Sequence, residues 1–202
     1  MLNIHKLNSI HGWFNEDEAY WLYEQTLGCQ RAMEIGSWQG RTTYCLLSGI
    51  RDTHVNPPVE RVVISVDQYK PLVDQAGNEM YLENRTEEGR SRLIAQFLEN
   101  IKEFRGIVPH VLIDESSKRA LSHDAHYFKP LDIIMIDGDH SYDAVCHDIL
   151  GSMKLLRPGG KLCGHDYRKN GNHEVRAAVD KLLPDRQLGA GSCWLWNMPA
   201  LA

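Results

Sequence analysis

The sequence predicts an α/β protein with a doubly wound, mostly parallel sheet, and three stretches carry that reading. Arg31–Thr43, RAMEIGSWQGRTT, runs from a short apolar strand through a glycine turn into a helix start. Arg61–Asp67, RVVISVD, and Leu131–Asp137, LDIIMID, are near-continuous apolar runs that each end on an acid. Parallel strands covered on both faces read in this continuous way, whereas half-solvated strands alternate.

Length and charge narrow the field. A chain of 202 residues suits one domain over 1–202, long enough to bury its core without staples. A net charge of −5 argues against a nucleic-acid partner, which leaves a basic footprint. The five cysteines, Cys29, Cys45, Cys146, Cys163 and Cys193, are odd in number and never spaced C-x-x-C. They read as small core residues of a reducing compartment, not as a disulfide framework or zinc ribbon. Met1–Ile10 has no charged-then-apolar leader, and no apolar run approaches the roughly eighteen residues of a membrane span. A soluble, cytoplasmic protein without a membrane partner is expected.

Within the amino-terminal segment 1–28, Asn15 with Glu18 three residues on forms a capping box for an entry helix over His11–Thr26, which Gly28 stops. Its aromatics Trp13, Phe14, Tyr20, Trp21 and Tyr23 either pack on the domain or line a substrate mouth. The first strand ends at Gly36. Gly36 and Gly40 allow backbone angles and a closeness of approach that a Cβ would obstruct. Thr42 and Thr43 open a helix to about Gly49, whose free N–H groups face the turn and suit a nucleotide or carboxylate. Glu34 beside the turn disfavours a pyrophosphate and favours a cationic or zwitterionic ligand.

A loop with Asn56-Pro57-Pro58 leads to the second strand. Asp67 at its end is positioned either to accept from a ribose diol or simply to form a turn. The polar insertion 68–90 reads as a lid or substrate loop, or as a plain surface excursion. Leu93, Ile94, Phe97, Leu98 and Ile101 recur at helical spacing through Ser91–Phe104. Val108–Ile113 is the third strand, leading into Asp114–Leu121.

The apolar strand ending at Asp137 delivers Asp137, Asp139, His140, Tyr142 and Asp143 at its carboxyl end, where doubly wound sheets bind ligands. Such a cluster is costly unless its charge is compensated. After a turn at Arg157–Gly160, the strand Lys161–Gly164 ends on His165-Asp166. Neighbouring strands thereby bring Asp137, His165 and Asp166 to one rim, a donor set for magnesium or manganese. A helix over Glu174–Leu183 and a hairpin of Arg186–Leu188 with Cys193–Met198 close the chain.

Glu34-Ile35-Gly36-Ser37-Trp38-Gln39-Gly40-Arg41-Thr42 resembles, position by position, the E-L-G-x-x-x-G-x-S motif of catechol-type O-methyltransferases. These belong to the class I S-adenosylmethionine-dependent methyltransferases, and macrolide-sugar O-methyltransferases are similar. The resemblance runs from about Glu34 to Met198. It implies a Rossmann-like, seven-stranded sheet with one late antiparallel hairpin and helices on both faces. It implies S-adenosylmethionine as cofactor, bound by Glu34, Gly36, Ser37, Trp38, Gly40, Thr42, Asp67, Ser116, Ser117, Asp137 and His140. It further implies a divalent ion on Asp137, His165 and Asp166, although the family carries an acid where this chain has His165. His140 stands where the family places its base, with Asp139 the competing base and Asp137 the third candidate catalytic group. The expected acceptor is a hydroxyl of a sugar or small natural product, and exposed amino-terminal aromatics would suit a homo-oligomer contact. A metal-independent methyltransferase and a non-catalytic cofactor-binding module are the alternatives.

Overall fold

The computed structural model describes residues 1–53, 60–70, 72–73, 79–80, 86–123, 127, 130–168 and 173–200. In chain order these form α1 (Ile4–Asn8), α2 (Glu16–Thr26), β1 (Arg31–Ile35), α3 (Arg41–Asp52), β2 (Val62–Val66), β3 (Leu72–Val73) and β4 (Glu79–Met80). There follow α4 (Glu87–Asn100), β5 (His110–Ile113), α5 (Ser117–Ser122), β6 (Leu131–Ile136), α6 (Tyr142–Met153), β7 (Leu156–Gly164), α7 (His173–Leu182), β8 (Gln187–Leu188) and β9 (Trp194–Asn197).

Among the described residues the main sheet has seven strands in the order β5-β2-β1-β6-β7-β9-β8. All neighbours are parallel except β9, which runs antiparallel to both β7 and β8. The doubly wound sheet and late hairpin are therefore as the sequence predicts. Strand order reverses between β1 and β6. Register does the positioning: Ile35 pairs with both Val66 and Ile136, and Ile136 pairs with Gly164. Four strands thus end level, so that Gly36, Asp67, Asp137 and His165 emerge on one rim.

Alternate strand residues face two cores. Ala32, Ile133, Met135 and Cys163 pack under α1 to α3 and the end of α4, whereas Met33, Ile35, Ile134 and Ile136 pack under α5 to α7. Each fully buried aliphatic side chain contributes about 1.5–3 kcal/mol, so the central strands anchor the rim rigidly. No described helix is long and apolar enough to cross a membrane.

Several boundaries differ from the sequence reading. The entry helix starts at Glu16, not His11, because the capping box is formed: Asn15 is extended (φ −79°, ψ 176°) and exchanges hydrogen bonds with Glu18. A residue in that conformation cannot continue a helix upstream. Similarly, Thr86 accepts from the Gly89 N–H and starts α4 four residues before the expected Ser91. Arg157–Gly160 is not a turn but part of β7, with a register irregularity opposite Leu131 and Ile133. A bulge absorbs the Pro-Gly-Gly run, and Gly159 takes its positive φ of 72°. Within the insertion, β3 and β4 pair antiparallel. Residues 71, 74–78 and 81–85 of that expected lid, and the Asn56-Pro57-Pro58 loop, fall outside the described residues.

Candidate active site

At the β1 end, Gly36 has φ +86°, and a Cβ there would lie 2.1 Å from the Asp137 carbonyl oxygen. Only glycine lets the β1 and β6 turns touch in this way. Asp67 ties the turn down: its Oδ2 accepts from the Ser37 and Trp38 N–H groups at 3.0 and 2.8 Å, and its Oδ1 from Tyr69 N–H at 2.8 Å. Burial raises the Asp67 carboxyl, and these three donors oppose the rise. They also hold Trp38 at φ +44°. The Ser37 hydroxyl meets the Tyr69 hydroxyl at 3.2 Å, so Ser37 too is part of the clamp. Gly40 caps α3 with no side-chain acceptor, leaving the helix's first N–H groups to the turn.

Glu34 and Thr42 lie elsewhere than expected of cofactor contacts. Glu34 is fully buried and accepts from the Thr42 and Thr43 hydroxyls, with Ser65 Oγ at 3.4 Å. Burial pushes its carboxyl up to about 8 against the Thr42 and Thr43 bonds, so it stands protonated at neutral pH. The acid that resembles a ligand contact is a staple between β1 and α3. At the β5 end, Ser116 caps α5 by accepting from Arg119 N–H at 3.4 Å, and Ser117 follows as its first residue.

The β6 and β7 ends differ in kind. His140 Nε2 lies 3.1 Å from Asp166 Oδ2 and 3.7 Å from Asp137 Oδ1. His165 Nδ1 lies 3.1 Å from Asp166 Oδ1 and 3.7 Å from Asp137 Oδ1, so two carboxylates sit between two imidazoles. Asp166 takes the left-handed region, φ +62°, an uncommon conformation for a residue other than glycine. Asp139 turns away: its Oδ1 accepts from the Ser141 N–H at 2.8 Å at the start of α6.

His165 departs from the expected ligand set. Its Nε2 faces Glu18 Oε1 at 3.1 Å, across 147 positions of sequence. Burial would lower the imidazole, but bonds to Asp166 and Glu18 and the charges of Asp137 and Asp166 raise it to about 10. Both ring nitrogens are thus engaged by carboxylates, Nδ1 by Asp166 and Nε2 by Glu18. Two donor sets converge among the described residues, the buried Glu18, His165 and Cys193 and the rim set Asp137, His140 and Asp166, the ligand atoms of each lying within 4.8 Å of one another. Carboxylate and imidazole donors in that number fit a divalent ion.

Glu18 is the residue that sequence reasoning missed. It also accepts from Ser192 N–H at 2.9 Å, linking the entry helix, the hairpin and the rim. The signal was its place in the capping box on a face otherwise apolar, where Ala19 and Leu22 are buried. The aromatic segment divides: Phe14 is buried with its ring 5.1 Å from His165, while Trp13 is half exposed with its ring 6.1 Å from Trp38. Residues 13 and 14 thus bridge the β1 turn and the acid–imidazole rim.

A family model described as a methyltransferase domain (Methyltransf_24) matches residues 33–167, from β1 past the Asp166 rim. The chain belongs to the methyltransferase domain family. Solved relatives of this methyltransferase share its class I fold at low identity. CalS11, a calicheamicin methyltransferase, is 16% identical with a TM-score of 0.66 over 91% of this chain and 80% of its own. The O-methyltransferase NovP is 15% identical with a TM-score of 0.65, over 98% and 81%. An O-methyltransferase from Bacillus cereus, in complex with SAH, is 14% identical with a TM-score of 0.60, over 95% and 86%. No curated protein matches this methyltransferase in sequence.

Proposed function

We propose that this methyltransferase moves a methyl group from S-adenosylmethionine to a hydroxyl of a small molecule, with His140 as the base. The observation that carries the proposal is the 3.1 Å contact of His140 Nε2 with Asp166 Oδ2 at the strand ends. The donor, when bound, supplies an electrophilic sulfonium methyl, and the protein must align the accepting oxygen and remove one proton. With Nε2–H donating to Asp166, the basic nitrogen of His140 is Nδ1, which takes the hydroxyl proton. Asp166 then stabilises the imidazolium. Asp139, engaged by Ser141 N–H, is the weaker candidate. Gly36, Ser37, Trp38, Gly40, Asp67, Ser116, Ser117 and Asp137 would surround the donor. Trp13, exposed and 6.1 Å from the Trp38 ring, would flank the acceptor. A sugar or natural-product hydroxyl is the favoured class, since CalS11 is described as a TDP-rhamnose 3'-O-methyltransferase.

A second arrangement of the same side chains is favoured by the convergence of Asp137, His140 and Asp166. They would hold magnesium or manganese, which lowers the pKa of a bound hydroxyl. The two arrangements need opposite His140 tautomers, because a cation requires the Nε2 lone pair. Formation of S-adenosylhomocysteine from S-adenosylmethionine, measured over a panel of hydroxylated acceptors with and without a chelator, tests both. Turnover that survives chelation supports the His140–Asp166 pair alone. Turnover lost to chelation and restored by manganese supports the metal. If the protein binds neither S-adenosylmethionine nor S-adenosylhomocysteine, the proposal fails.

A further inference from the structure

Glu18 is a buried carboxylate on the entry helix that the chemistry above does not use. Backbone holds it from both sides: Oε2 accepts from Asn15 N–H at 2.9 Å, and Oε1 from Ser192 N–H at 2.9 Å. The hairpin turn closes over it. A Cβ on Gly191, at φ +53°, would lie 2.1 Å from Glu18 Oε1. A side chain fixed at each oxygen by main chain is a rigid anchor, and its side-chain partner is His165 Nε2 at 3.1 Å.

From there the contacts run outward in single file. His165 Nδ1 lies 3.1 Å from Asp166 Oδ1, and Asp166 Oδ2 lies 3.1 Å from His140 Nε2. The side chains of Glu18, His165 and Asp166 are 4%, 6% and 2% exposed, whereas that of His140 is 39% exposed. A buried anchor is thus connected to the imidazole that meets solvent. The connection has a competitor. Asp137 Oδ1 stands 3.7 Å from the same His165 Nδ1, so a small turn of the ring would hand the contact from Asp166 to Asp137. A hydrogen bond at Nε2 fixes the ring against that turn, because the bond made by one imidazole nitrogen orients the other. Asp166 itself sits in the left-handed region, a conformation that persists only where the surroundings hold it.

We propose that Glu18 is a positioning residue for methyl transfer: through His165 it holds Asp166 with Oδ2 aimed at His140, so that His140 presents Nδ1 to the acceptor hydroxyl. The inference rests on the reading of His140 as the base. Being buried, Glu18 touches neither donor nor acceptor, so it governs the rate of the chemical step and not the affinity for S-adenosylhomocysteine. Misplacing a reacting group by about 1 Å costs up to roughly 10²-fold in rate.

The test is steady-state methyl transfer to an acceptor from the hydroxylated panel by the full chain as Glu18→Gln, as His140→Ala and as the double variant, with titration of S-adenosylhomocysteine alongside. Glu18→Gln keeps the size of the side chain and removes its charge. It is expected to lower kcat about tenfold to a hundredfold while KM and S-adenosylhomocysteine affinity stay within about twofold. In the His140→Ala background the same substitution is expected to cost no more than about twofold, because its effect passes through the missing imidazole. An equal loss in both backgrounds marks a merely structural role and overturns the inference, as does an unchanged kcat in Glu18→Gln. Imidazole nitrogen NMR needs no acceptor: the His140 ring signals are expected to move in Glu18→Gln, and unmoved signals overturn the inference. If that variant does not fold, wild type decides. A His165 Nε2–H slow to exchange with water is expected there, and a His165 ring without a proton on Nε2 overturns the inference. Wild-type turnover in His140→Ala overturns the reading of His140 as base, and this inference with it.

Discussion

The two sides of the strand-end rim carry acids of equal number and opposite use. On the β1–β2 side, Glu34 is held by the Thr42 and Thr43 hydroxyls, and Asp67 by the N–H groups of Ser37, Trp38 and Tyr69. On the β6–β7 side, Asp137 and Asp166 face two imidazoles, one of them 39% exposed in its side chain. Acids satisfied by fixed donors of their own chain build a rigid frame. Acids facing titratable groups at the surface can exchange protons or hold a cation. The frame shapes the cleft, and the chemistry proposed above would fall to the other side.

Breaking each side should therefore fail differently. His140→Ala removes the proposed base and is expected to cost about 10²- to 10⁴-fold in turnover, as loss of general-base catalysis does. Being partly exposed, it should leave thermal unfolding nearly unchanged, which calorimetry checks. Asp67→Ala leaves three N–H groups of the turn without their acceptor. It is expected to lower stability by roughly 2–4 kcal/mol in urea unfolding and to weaken S-adenosylhomocysteine at least as strongly as turnover.

Glu34 sharpens the comparison through pH. Its folded value of about 8 lies above its ordinary 4.5, so the native state keeps a proton that the unfolded chain releases. Stability from this group is full below pH 4.5 and is lost as pH rises toward 8, with a slope of at most about 1.4 kcal/mol per pH unit. Urea midpoints across that window should fall less steeply in Glu34→Gln than in wild type. The smallest effect is expected at Lys102, whose ion pair with Glu99 lies on the exposed face of the protein. Lys102→Gln should leave both unfolding and turnover unchanged, because water screens such pairs.

The strand-end rim was legible in the sequence because apolar runs such as Ile133–Ile136 leave one reading as buried parallel strands, and their ends set where Asp137 and Asp166 emerge. The use of each acid was not legible. That Glu34 serves two threonines eight and nine positions on depends on how α3 crosses β1, and that Glu18 reaches His165 depends on where α2 docks. Neither packing leaves a local pattern. The Pro-Gly-Gly run misled for a related reason: a bulge and a turn need the same residues, and only the pairing partner distinguishes them.

The most direct test is isothermal titration of wild type and His140→Ala with S-adenosylhomocysteine. Micromolar binding to one site, retained in His140→Ala while methyl transfer is lost, is the expected result for a frame that binds and a rim that reacts. Absence of binding to wild type, or loss of binding with the imidazole, would contradict that division.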